Sequence, residues 1–304
     1  MNIAWRVMRP DRPQMLSRMN VRSTGIVKSA RAAMLFVTLA TAACGAAKSP
    51  TAPSPPTAPG LLAGFTLIGD AESVSGGTWA YRATVAGIAY DLQGILFKPR
   101  GAGRFPAVIV SHGLASNVTQ YPSHVCAEMV TWGLVCIATN YTHAVGAPIG
   151  APGTIAEPGA SVANVERARK LIDLLAAFGY VDMTRIAAHG HSLGAFVTTA
   201  LLANYPGVIR VASHTAGGVI PLPLDPSIPT AAQAASIVTP YQLHHGDRDD
   251  IVPRAFDELL VSTLRSRGVD TDLLIYPGAS HDDVALDATM LSRVRAWYAA
   301  HGTF

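Results

Sequence analysis

Three side chains able to do nucleophilic chemistry, far apart in the chain, each follow a short apolar run and each stand in a turn rich in Gly, Pro or Asp. Ser192 is the centre of Gly190-His191-Ser192-Leu193-Gly194, placed between the run RIAA and the helix-like stretch AFVTTALLANYP. A serine hydroxyl is barely ionised at neutral pH, so using it as a nucleophile requires a base within hydrogen-bond reach and a carboxylate that fixes the base's tautomer. His281, after LLIY and Pro277-Gly278-Ala279-Ser280, is the candidate base. Asp249, in Gly246-Asp247-Arg248-Asp249-Asp250-Ile251-Val252-Pro253 after YQLHH, is the candidate acid. Its neighbours Asp247 and Asp250 are expected to shape the loop, and Asp225 is a remote substitute. Such a set does acyl transfer: the serine attacks an acyl carbon, the histidine takes its proton and returns it to the leaving group, and water clears the acyl-enzyme.

These groups can meet only if a rigid frame brings three loops together. Two alternating stretches, Trp79 to Val85 and Ile88 to Lys98, flank a turn near Ala86-Gly87 and predict an antiparallel strand pair. Beyond them, short apolar runs (Ala107 to Val110, Leu134 to Ala138, Arg185 to Ala188, Val208 to Ala212, Tyr241 to Leu243, Leu273 to Tyr276) alternate with stretches of helical period. The clearest helices are Tyr121 to Trp132, Val162 to Phe178, Leu193 to Ala203, Arg254 to Arg267 and Asp287 to His301. Strict alternation predicts an α/β fold whose mostly parallel sheet carries helices on both faces. Active sites of such sheets lie at the carboxyl ends of the strands, which is where all three side chains stand.

Serine, acid, histidine is the order used by α/β hydrolases, and G-x-S-x-G between strand and helix resembles their nucleophile elbow, with Gly190 and Gly194 required where a side chain would strike neighbouring backbone. H-G-D-R-D-D-I-V-P resembles the superfamily's acid loop, H-G-x-x-D-x-x-V-P, and maps the acid onto Asp249. Val108-Ile109-Val110-Ser111-His112-Gly113-Leu114 resembles the strand and His-Gly turn that supply one backbone N–H of the oxyanion hole, which the resemblance assigns to Leu114, with Leu193 giving the second. Over residues 78 to 301 the chain is similar to dienelactone-hydrolase-like proteins and to acetylhydrolase and polyester-hydrolase esterases. Dienelactone hydrolases proper carry cysteine at the nucleophile; Ser192 favours an ordinary serine esterase. His191 is the residue that commonly precedes the nucleophile in this superfamily.

Residues 28 to 44 are of another kind. Lys28 and Arg31 lead into AAMLFVTLATAA, too short to span a bilayer but suited to a secretory signal. Thr41-Ala42-Ala43-Cys44-Gly45 resembles a bacterial lipobox, with Thr41 where that family usually has Leu, and implies a signal over 1–43 with lipidation at Cys44; ordinary cleavage nearby and an uncleaved anchor stay open, so the expected place is secreted, periplasmic or membrane-anchored. A Pro-rich linker follows over 44–64, AAKSPTAPSPPTAPG at its centre, and a single catalytic domain over 65–304. Removal of residues 1–33 takes seven basic side chains and one acidic, so 16 basic groups remain against 19 acidic and no nucleic-acid footprint survives. The spacing of Cys126 and Cys136 permits a disulfide in an oxidising compartment and equally two buried thiols.

No cofactor motif is present, and neither cofactor nor metal is expected. The His189-x-His191 pair and His244-His245 do not complete a zinc pattern. His112 is expected to be a structural hydrogen-bonding group, and His124, His143, His214 and His301 carry no motif. Only 26 residues separate His214 from Tyr241, too few for a multi-helix lid, and the loop after Asn140 is small and rich in Gly and Pro. An open cleft is therefore expected, suited to short acyl esters or an exposed polymeric ester. Two other expectations stand beside it. One is a serine peptidase of the prolyl-oligopeptidase-like kind, for whose N-terminal propeller the leader and linker leave no room; the other is a non-catalytic binding lipoprotein, against which an intact triad weighs.

Overall fold

The computed structural model describes residues 63–304 except 151 and 154. The expected signal, Cys44 and the linker as far as residue 62 lie outside the described residues.

Strand β4 (Phe105–Ser111) shows why a parallel sheet forms: Ala107 and Ile109 enter one hydrophobic core, Val108 and Val110 the other. The same division splits Val135 and Ile137 from Cys136 and Ala138 in β5 (Val135–Thr139). A strand apolar on both faces must be covered on both. On one face lie α2 (Val162–Ala177), α3 (Leu193–Asn204) and α5 (Arg254–Ser266), through Leu171, Leu201 and Leu260. On the other lie α1 (Tyr121–Met129), α6 (His281–Ala285) and α7 (Ala288–Ala300), through Val125, Val284 and Val294. Among the described residues, no helix is long and apolar enough to cross a membrane.

The remaining strands are β1 (Thr66–Ile68), β2 (Gly77–Val85), β3 (Ile88–Phe97), β6 (Val181–His191), β7 (Val211–Thr215), β8 (Tyr241–Gly246) and β9 (Thr271–Tyr276), with α4 (Ala231–Ala234) between β7 and β8. Sheet order is β1-β2-β3-β5-β4-β6-β7-β8-β9. The β1–β2, β2–β3 and β3–β5 pairs are antiparallel, and the pairs from β5 through β4 to β9 are parallel. The chain goes from β4 outward to β5 and returns to the other side of β4 as β6, so the order reverses there. Crevices at such switch points, beyond the carboxyl ends of the strands, are the binding places of open α/β sheets. This is the α/β-hydrolase fold, with the antiparallel strand pair at its N-terminal edge.

The five predicted helices end within one residue of the sequence pattern, except that Tyr121 to Trp132 is α-helical only to Met129 and finishes as a 3-10 turn over Val130–Trp132, while several strands differ more. The strand predicted over Val208 to Ala212 runs from Val211 to Thr215, because pairing of Ala187 with Val211 sets its start. Its last three residues are polar yet wholly buried, since Ser213 bonds to His189 and Tyr298, and His214 to Tyr241. Strand β8 likewise runs through His244 and His245. Cys126 and Cys136 form a disulfide, their Cα atoms 5.3 Å apart, tying α1 to β5.

Candidate active site

Ser192 joins the end of β6 to α3 with φ 56° and ψ −124°. A serine held at positive φ stores roughly 1–3 kcal/mol and persists only where its surroundings enforce it. They do so by close approach: a Cβ on Gly190 would lie 2.3 Å from the Gly194 carbonyl oxygen, and one on Gly194 would lie 2.2 Å from that of Ser111. The Ser192 amide donates to the Thr215 carbonyl on β7 at 3.1 Å, fixing the turn against the neighbouring strand.

The other two candidates arrive on separate segments. His281 is the first residue of α6, whose N-cap Ser280 forms a capping box with Asp283, so the imidazole is placed by a helix start where the sequence predicted a loop. Its Nε2 stands 2.9 Å from Ser192 Oγ and its Nδ1 2.8 Å from Asp249 Oδ2. Asp249 Oδ1 accepts the backbone N–H groups of Ile251 and Val252, both at 2.9 Å, which locks the carboxylate. Ser192 and His281 are 7% and 8% exposed, enough for a reactant to reach them at one face.

Behind Asp249 the chain of contacts continues inward. His245 Nε2 lies 3.3 Å from Asp249 Oδ2 and 3.0 Å from the Val252 carbonyl oxygen, while its Nδ1 donates to Asp257 Oδ2 at 2.7 Å. Asp257 Oδ1 accepts from His214 Nε2 at 2.6 Å, and His214 Nδ1 meets the Tyr241 hydroxyl at 2.7 Å. Burial works against a charge on His245, but its bonds to Asp249 and Asp257 prevail and raise its pKa to about 10. Burial opposes ionisation of Asp249 too, and the hydrogen bonds from His245 and His281 overcome it, holding the carboxyl well below the usual range. Asp257, against the same penalty, is brought to about 2 by His214 and His245. A buried imidazolium thus sits between two carboxylates.

The remaining sequence candidates fall into place around this set. Asp247 Oδ1 accepts the Gly278 amide at 2.6 Å, joining the acid loop to the turn before His281, and Asp250 is exposed. Asp225 binds its own loop through Ser227. Leu193 opens α3, so its N–H is one of those a helix leaves without an intrahelical acceptor. Leu114 follows Gly113, where an added Cβ would lie 2.9 Å from the Ser192 Cβ. His112 Nε2 accepts the Tyr141 amide at 3.2 Å and its Nδ1 meets the Gly113 carbonyl at 2.9 Å; burial lowers its pKa to about 4. His143, which carries no motif, packs on the His112 ring and bonds to the His112 carbonyl.

The H-x-H pair does not converge with His244 and His245. His189 is held by Tyr121 and Ser213, and His244 by Tyr276 and Gln242. His191 instead bonds Thr215 Oγ1 through Nδ1 at 2.9 Å and lies with its ring centroid 4.8 Å from that of His281; burial lowers its pKa to about 3. Sequence reasoning missed the parts played by His245, Asp257 and His214. The signal was a histidine doublet in front of G-x-x-D, with one more acid within the first turn of the next helix.

Residues 92–290 match the model of the dienelactone hydrolase family. No curated protein matches the chain. Among solved structures, a puromycin-hydrolysing peptidase of Mycobacterium tuberculosis is similar at TM-score 0.62 and 20% identity over 76% of this chain and 40% of its own. A dienelactone-hydrolase-like promiscuous phosphotriesterase from metagenomic libraries is similar at 0.57 and 17%, over 74% of this chain and 98% of its own. A cold-adapted esterase from an Arctic intertidal metagenomic library is similar at 0.56 and 16%, over 74% and 95%. The chain spans 36–40% of the length of the peptidase structures that it matches. At these identities the likeness concerns the fold.

Proposed function

The chain belongs to the dienelactone hydrolase family, and from that premise we propose that it is a serine hydrolase of carboxylic esters, with Ser192 as nucleophile, His281 as general base and Asp249 as the acid that orients it. The observation that carries this reading is the unbroken pair of hydrogen bonds, 2.9 Å from Ser192 Oγ to His281 Nε2 and 2.8 Å from His281 Nδ1 to Asp249 Oδ2. Ser192 Oγ attacks the acyl carbon as its proton passes to His281 Nε2; the imidazolium returns that proton to the leaving alkoxide, and an acyl-enzyme remains. Water attacks next, giving its proton to the same nitrogen, and the acid departs as Ser192 recovers its hydrogen. Asp249, bound to His281 Nδ1–H, stabilises the imidazolium and stays ionised throughout. The N–H groups of Leu193 and Leu114 are the assigned oxyanion donors, supported by the start of α3 at Leu193 and the close approach of Gly113 to Ser192.

An open cleft for short acyl or exposed polymeric esters is supported by the segment between β7 and β8, whose only described helix is the four-residue α4. The structural likeness to a peptidase gives the second reading, a peptide bond as the target. Matched p-nitrophenyl esters and p-nitroanilides of two to sixteen acyl carbons, offered to the full chain and to Ser192→Ala, test both. Fast turnover of short esters, slow turnover of anilides and loss of about 10⁴-fold or more in the variant are expected. Anilides hydrolysed as fast as esters support the peptidase, and a steep preference for the longest chains contradicts the open cleft.

Export, with the signal removed and lipid on Cys44, is part of the same proposal. It is supported by the apolar run before Cys44 and by the Cys126–Cys136 disulfide, a bond that persists in oxidising compartments. Mass spectrometry of the mature N-terminus tests it, a diacylglyceryl-modified Cys44 being expected and an intact residue 1–43 segment contradicting it.

A further inference from the structure

Beside the nucleophile stand two side chains that the ester chemistry does not use, His191 and Asp282, grouped with the base His281. His191, His281 and Asp282 each present a ligand atom, and these atoms lie within 4.8 Å of one another. His191 Nε2 is 3.9 Å from Asp282 Oδ1, and the Asp282 side chain is 94% exposed, so it is able to swing. Four-coordinate zinc with bonds of about 2.0–2.1 Å sets its ligand atoms roughly 3.3 Å apart. The exposed Asp282 can close its 3.9 Å gap to His191 by a side-chain rotation.

Both imidazoles are already arranged as metal ligands are. A histidine that binds a metal through one nitrogen nearly always places the other ring N–H on an oxygen acceptor, which fixes the tautomer and raises basicity. His281 has Asp249 Oδ2 at 2.8 Å on Nδ1, and His191 has Thr215 Oγ1 at 2.9 Å on Nδ1. Each ring then offers the lone pair of Nε2, and the two centroids are 4.8 Å apart. Ser192 Oγ, 2.9 Å from His281 Nε2, uses that same lone pair, so a metal held there displaces this hydrogen bond. Two imidazoles and a carboxylate suit a borderline dication such as Zn²⁺ better than Mg²⁺ or Ca²⁺, which prefer all-oxygen shells.

We propose that His191, His281 and Asp282 form an inhibitory site for a transition-metal dication, with Zn²⁺ as its ion. Its inhibitory part rests on the hydrolase reading above; its binding part does not. The metal takes the lone pair of His281 Nε2 that otherwise receives the Ser192 proton, so the bound enzyme has no base. Metal–ligand bonds form and the Ser192–His281 hydrogen bond is given up, no covalent bond changes, and a chelator reverses the effect.

Zinc chloride titrated calorimetrically into the metal-free full chain, alongside p-nitrophenyl acetate hydrolysis over the same zinc range, tests the proposal. One zinc per chain is expected, with hydrolysis falling at the same midpoint and returning with EDTA. Asp282→Asn keeps kcat/KM in metal-free buffer within about twofold and weakens zinc at least tenfold, as does His191→Gln for zinc, since losing even an outer supporting group typically costs about 10–100-fold. Ser192→Ala still binds zinc. Absence of saturable binding up to about 1 mM zinc, or one midpoint shared by wild type, Asp282→Asn and His191→Gln, overturns it. Zinc binding in a protein whose Ser192→Ala variant hydrolyses esters normally supports the site and removes the hydrolase reading instead.

Discussion

Two polar clusters meet at Asp249, and they are built on opposite terms. In front, Ser192 and His281 sit on a strained turn and at a helix start, each open to solvent at one face. Behind, His245, Asp257 and His214 are wholly buried, and Tyr241 closes the chain of bonds. On the proposed function, the front keeps groups whose partners change when substrate arrives. The back keeps a cation between two carboxylates, so that the charge on Asp249 is held in place without water. An unpaired buried charge costs several kcal/mol, whereas one with well-placed partners is tolerated. The contrast teaches that the carboxylate at the back of the proposed trio has its own support, and that this support is ionic.

Substitutions on the two sides should separate them. Asp249→Asn touches both clusters and is expected to lower kcat by about 10⁴-fold, since the amide favours the wrong tautomer of His281; steady-state kinetics with a short ester measures this, and a loss under tenfold would place the acid elsewhere. His245→Gln strikes only the back. It leaves two buried carboxylates without their cation, so a stability loss of roughly 3 kcal/mol or more is expected in chemical denaturation, with kcat/KM lower by about tenfold. Equal losses in activity for His245→Gln and Asp249→Asn would erase the distinction between front and back.

The pH dependence of stability sharpens the same comparison. The His245 pKa is raised, from an ordinary value near 6.5 to about 10, so its contribution is complete below about pH 6.5 and declines as pH rises toward 10. Asp249 and Asp257 are depressed, so their contributions are present above about pH 4 and are lost as pH falls toward 2. Urea midpoints measured from pH 6 to 10 should fall in the wild type and flatten on that limb in His245→Gln; parallel curves would mean that His245 is neutral. Remote from both clusters, Cys126→Ser with Cys136→Ser should cost about 2–3 kcal/mol for a loop of this size and leave kcat/KM unchanged, the smallest catalytic effect of the series.

The front was legible because its residues sit in turns whose chemistry is local. Gly190 and Gly194 mark a backbone crossing, Val252-Pro253 a loop running into a helix, and strand–helix alternation tells where each turn lies. The back was not, because it depends on which strands lie side by side. His214 and His245 come from β7 and β8, and only their pairing and the packing of α5 bring Asp257 between them. Buried polar strand ends hid themselves too: Ser213, His214 and Thr215 look like a loop until their partners are known.

The central claim is that one hydroxyl, at residue 192, does the attack. A fluorophosphonate probe, followed by peptide mass spectrometry, reads that directly. A single adduct on Ser192 that disappears in Ser192→Ala and is slowed strongly in Asp249→Asn is the predicted result. An adduct on another serine, or undiminished labelling of Ser192→Ala, would contradict it.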